Sequence, residues 1–241
     1  MSIARSLLCM LLLAVITSPA LAHYPWLKID QKQGKQGTVL FYFEHAARPG
    51  DGAYLDPFVE RGKFWLTTAD GESGAIELAD TRQEKLRWLQ TELTQASPRC
   101  VEAYTKWGVY RYGQTDTLLH YYARTVDARD AEDVSKLSES KHLKLQLQPQ
   151  LEGGELIVRA TWDGKPLANQ QIALRSPTVA KNFKTNDEGV AILPVDRAGN
   201  YGLRTKLVVK EAGEFLGKDY AEVHHHSTLT MHINKANASE Q

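Results

Sequence analysis

From residue 153 onward, apolar and polar residues alternate with a period near two, in short runs broken by turn residues, as strands with one buried face do. The runs are 155–162, closed by the turn Asp163-Gly164; 171–175; 190–193, after the polar loop 185–189; and 199–209. A loop at 211–218 then leads to a last strand from about 220 to 233, and 234–241 reads as a polar tail. This pattern predicts a β-sandwich over 151–233. The first half is less regular but still mainly β, with β-branched and aromatic runs at 37–43, 62–68, 75–78, 107–112 and 118–124. Leu86, Leu89 and Leu93 recur at helical spacing, which predicts a helical or irregular insertion between Asp80 and Ala96. The stretch 127–141, charged and poor in apolar residues, reads as an exposed segment or a boundary. With the boundary set near Pro149 to Gly154, the prediction is an all-β chain of two tandem sandwiches, 23–150 and 151–233.

One segment has neither period. Met1 to Arg5 carries one positive charge, 6–16 carries none, and the run breaks at Thr17-Ser18-Pro19 before Ala20-Leu21-Ala22. That is the order of a cleaved signal peptide, too short for the roughly 20 residues a membrane span needs. Cleavage after Ala22 is predicted, giving a periplasmic chain whose first residue is His23. Cys9 leaves with the peptide, so Cys100 cannot form an intrachain disulfide and is expected to be buried as a small apolar residue. The 29 basic and 29 acidic residues cancel and are interspersed, which argues against a nucleic-acid partner.

The candidate chemistry lies in histidines. A freed His23 offers an α-amine and an imidazole that can chelate one metal ion, and Pro25 lacks the N–H needed to extend such a site along the backbone. Further ligands must therefore come from elsewhere. In Glu222-Val-His224-His225-His226, strand alternation turns His224 and His226 to one face and His225 to the other, so the first two offer a pair of nitrogens. His45 ends a strand and precedes Arg48-Pro49-Gly50-Asp51, a position where a ring is held rigid beside a loop. His120, His142 and His232 are expected to be structural. Glu44 and Glu222 are possible oxygen ligands or partners of a neighbouring imidazole, with surface charge the simpler expectation. The chain has no Gly-x-Ser-x-Gly, no His-Glu-x-x-His, no phosphate-binding glycine loop and no cysteine pair, so no enzyme activity is predicted.

The opening Ala22-His23-Tyr-Pro-Trp-Leu27 and the segment Phe43-Glu-His45 with its Arg-Pro-Gly-Asp turn resemble a family of periplasmic proteins. That family is classed as a domain of unknown function and is often described as the periplasmic component of nickel/cobalt uptake systems. Trp162-Asp-Gly-Lys-Pro-Leu167, Lys184-Thr-Asn-Asp-Glu-Gly189 and Ala198-Gly-Asn-Tyr201 are similar to segments of transthyretin-like and peptidase-regulatory-like sandwiches. The resemblance implies that His23 and His45 belong to a metal site. His224 to His226 fall where the family has an aromatic-rich strand, so their ligand role rests on the residues alone. The resulting expectation is a metal-uptake or homeostasis protein. It would hold a divalent transition metal (nickel, cobalt, copper or zinc) through His23, His45, His224 and His226, with a membrane metal transporter as its partner. Two alternatives stand beside it: an accessory or adhesive sandwich that binds protein or glycan, and a copper oxidase of the histidine-brace type.

Overall fold

A strand buried on both faces needs a layer on each side of it, and residues 117–126 are buried almost without interruption. The computed structural model describes residues 23–195 and 197–234. The predicted signal peptide and most of the polar tail lie outside the described residues.

The first half holds β1 (Tyr24–Asp30), β2 (Thr38–Glu44), α1 (Asp56–Arg61), β3 (Lys63–Thr68), β4 (Ser73–Ile76), β5 (Ala79–Gln83), β6 (Leu86–Glu92), β7 (Arg99–Tyr112), β8 (Thr115–Asp127) and α2 (Ala131–Lys136). The second half holds β9 (Leu145–Glu152), β10 (Glu155–Trp162), β11 (Lys165–Pro166), β12 (Gln171–Arg175), β13 (Ala180–Lys184), β14 (Val190–Pro194), β15 (Gly199–Val209), β16 (Gly213–Phe215), β17 (Lys218–Tyr220) and β18 (Glu222–Ile233). The all-β expectation holds; β2, β3, β4, β10, β12, β14, β15 and β18 lie within a residue or two of the expected runs, and β7 and β8 extend well beyond theirs.

The central layer is an eight-stranded sheet, ordered β13-β12-β15-β18-β8-β7-β3-β4. It is built from both halves of the chain, which meet where β18 runs parallel to β8. One face is covered by the sheet β1-β2-β6-β5. There Leu27, Phe41, Phe43 and Leu89 pack against Val101, Ala103, Leu119 and Tyr121. On the other face lie β9, β10 and β14, whose Leu147, Leu156, Val158 and Leu193 pack against Leu203, Leu229 and Ile233. Alternation decides the sides: Leu119, Tyr121 and Ala123 look toward β1, while Tyr122 and Val126 look away from it. Each fully buried Leu or Phe contributes about 1.5–3 kcal/mol. The position predicted as the boundary, 149–154, lies in the β9–β10 hairpin, whose turn glycines Gly153 and Gly154 both take positive φ.

One expectation is corrected and a second is refined. Residues 80–96 form no helix but the β5–β6 hairpin, turned at Glu84, with β6 zipped onto β2. Leu89 and Leu93 are buried and Leu86 is exposed; an interval of four residues is even, so it suits a strand face as well as a helix face. Residues 127–141 are exposed at many positions, as expected, and link β8 to β9, yet they are also pinned to the core. Asp130 caps α2 by accepting from the Asp133 N–H, and Val134 and Leu137 enter the core. Ahead of them Arg124 forms a buried ion pair with Glu102 and donates to the Leu137 carbonyl. Cys100 lies in that core as expected, its thiol pushed up to about 12 by burial and therefore inert.

Candidate metal centre

The β1–β2 ladder begins at the pair Tyr24 and Glu44, so His23 and His45 occupy the next rung. Their ring centroids lie 4.3 Å apart. Beside them Glu44 reaches in, with Oε2 3.6 Å from His23 Nε2, while its Oε1 is buried without a hydrogen-bond partner. A Cβ at position 50 would collide with that Oε1, so only glycine lets the carboxylate sit there. The loop that delivers Gly50 is held by Arg87. Its backbone N–H donates to the Gly50 carbonyl, and its guanidinium bonds Asp80 and Asp56. Phe43 and Tyr54 flank the His23 ring at 5.9 and 5.1 Å.

Burial lowers the pKa of His23, His45 lowers it further, and Glu44 and Asp51 oppose both effects. The ring is therefore held neutral, with its lone pair available, beside two carboxylates that favour a cation. Two imidazoles and a carboxylate suit first-row divalent metals. The α-amine joins this set only after cleavage behind Ala22.

His224 and His226 share a face, as alternation requires, with ring centroids 6.1 Å apart. His224 Nε2 lies 2.7 Å from Glu222 Oε1, and its ring stacks on Tyr112. His226 sits between Tyr24 and Tyr121, both of its ring nitrogens buried without a partner, and burial depresses its pKa to about 3. The two pairs communicate through rings, from His23 to Phe43 to Tyr121 to His226, at 5.9, 4.9 and 5.1 Å. They share an aromatic floor rather than one coordination sphere. Among the described residues, no three His, Cys, Asp or Glu side chains converge as a ready metal cage.

Sequence reasoning missed His120 and His225. The parallel register of β18 on β8 sets them opposite each other on the far face of the central sheet, with centroids 4.8 Å apart. No local signal announces which strands will be neighbours, so His120 looked isolated in sequence. His142 stacks on Trp65 and bonds Ser73, and His232 bonds Asn200; both have the structural partners expected of them.

A family model described as "Domain of unknown function (DUF4198)" matches residues 20–208, which takes in His23, Glu44 and His45 and stops short of His224. No curated protein matches the chain. Among solved structures, a two fibronectin type-III domain segment from chicken tenascin is similar at 8% identity. The alignment covers 84% of this chain and 97% of that one, with a TM-score of 0.19, too low to carry any argument.

Proposed function

The chain belongs to the DUF4198 family of domains of unknown function, and from that membership we propose that it is a periplasmic protein that binds a first-row transition metal for uptake or homeostasis. The carrying observation is the His23–His45 pair at 4.3 Å with the Glu44 carboxylate beside it, one of whose oxygens is buried without a hydrogen-bond partner. A buried carboxylate oxygen with no donor is costly unless a cation answers it. Signal-peptide cleavage would add the His23 amine and close a small chelate ring. Nickel and cobalt follow from the family resemblance, whereas the donor set alone orders affinity in favour of copper. His224 and His226 extend the same face and serve this reading as a neighbouring imidazole pair.

The test is calorimetric metal titration of the chain starting at His23, beside a chain with one residue added before it and a His45→Ala chain. Extension and His45→Ala are each expected to weaken binding by at least about tenfold, or about 1.4 kcal/mol. Binding left intact in both would refute the reading. A copper oxidase is supported by one observation, the exposed Tyr54 ring beside His23, which gives the pair an open aromatic mouth. Peroxide release by the copper-loaded chain with a reductant in air would favour that enzyme over a carrier.

A further inference from the structure

On the face of the central sheet away from β1, His120 and His225 line a cavity of about 480 Å³. That is the size of a small-molecule pocket and far larger than a bare ion needs. Its walls include Trp162, whose ring lies 4.3 Å from that of His225, and Tyr220 from the β16–β17 hairpin. Lys106 and Lys144 line it as well, and Glu211 is the carboxylate among the lining residues. Lys106 is steadied by the Phe215 ring, 4.4 Å below its ammonium.

The two imidazoles are mounted alike. His120 Nδ1 is bonded to Tyr104 Oη at 2.9 Å, and His225 Nδ1 to Tyr122 Oη at 3.1 Å. Each phenol fixes its ring and uses up one nitrogen, leaving both Nε2 atoms without a protein hydrogen bond. Unlike the nitrogens of His226, these Nε2 atoms are not sealed in the core. When Tyr Oη donates to Nδ1, the imidazole must carry its proton on Nε2, which makes that atom a donor into the cavity. Two ammonium groups beside two such donors form a field that repels a divalent cation and attracts an anion. The flanking rings of Trp162 and the tyrosines suit a flat body.

We propose that this cavity binds a small planar organic carboxylate, its charge met by Lys106 and Lys144 and its oxygens by the Nε2–H groups of His120 and His225. The proposal stands independently of the metal site, because the two lie on opposite faces of the sheet. Benzoate and its neutral counterpart benzamide serve as probes, titrated onto the chain starting at His23 without added metal, with imidazole resonances and calorimetry as readouts.

Benzoate is expected to saturate, to shift the His120 and His225 signals, and to bind at least tenfold more tightly than benzamide. Lys144→Gln, an exchange on a cavity wall outside the core, should cost a similar factor, and a His23→Ala/His45→Ala chain should bind benzoate as before. Three results would each overturn the assignment: no saturable benzoate binding, equal binding of the two probes, or a Lys144→Gln chain that folds normally and binds unchanged. A shift of the His120 and His225 signals by zinc alone in the His23→Ala/His45→Ala chain would also reject it, in favour of a second metal site.

Discussion

His226 stores a cost in the folded state. Its ring is buried between two tyrosines with neither nitrogen bonded, and an unsatisfied buried polar group typically costs about 1–3 kcal/mol. His226→Phe, which keeps the ring and removes the polar atoms, should leave stability unchanged or raise it by about 1 kcal/mol at pH 7.5. The same residue predicts acid sensitivity. Its folded pKa of about 3 lies below the 6.5 of an unfolded imidazole, so below pH 6.5 the unfolded chain binds the extra proton. Stability is whole above 6.5 and falls as the pH drops toward 3, by about 2 kcal/mol at pH 5 for this one group. Urea unfolding at pH 7.5 and 5 measures both effects; an equal acid loss in His226→Phe would assign the sensitivity elsewhere. Gly50 makes the opposite argument, since its missing Cβ is what admits the Glu44 carboxylate. Gly50→Ala should therefore weaken metal binding by about ten- to a hundredfold, the usual scale for disturbing a ligand's supporting groups. At this scale the shared face of His224 and His226 was readable from alternation, whereas the placing of His23 and His45 together came from the family resemblance. The pairing of His120 with His225 was readable from neither, because it depends on a strand contact between distant parts of the chain.

Among the elements, β6 offers the sharpest test of strand against helix. Leu89 is buried and Leu86 is 41% exposed, although both belong to the spacing that suggested a helix. Leu89→Ala should cost about 2–5 kcal/mol, whereas Leu86→Ala should stay within about 0.5 kcal/mol, a contrast that thermal melts resolve. In α2, Asp130→Ala should cost about 1 kcal/mol by removing the cap on the Asp133 N–H. The strands β10, β12, β14 and β15 were legible because one face of each is more open to solvent, which keeps a two-residue period, whereas β18 is buried on both faces. β8 was harder to delimit because it is buried on both faces and loses that alternation. The helix α2 hides in a charged sequence because its Asp133 is buried against Arg129, so a polar residue occupies a position that a pattern reader reserves for an apolar one.

At the scale of the whole molecule, composition and period foretold an all-β chain, but not that the two halves would share one sheet. That sheet is joined through β18, which is bonded to β15 along one edge and to β8 along the other. The same strand reaches up to the first one, where Thr228 donates to the Pro25 carbonyl and Thr230 to the Leu27 carbonyl. Pairings this distant in sequence make for slow folding. Until residues 222–233 are in place, the rest of the chain presents two unpaired strand edges, β15 and β8, to any neighbour. A chain cut before Glu222 keeps both edges open and is expected to be sticky, a liability that light scattering of such a truncation would show.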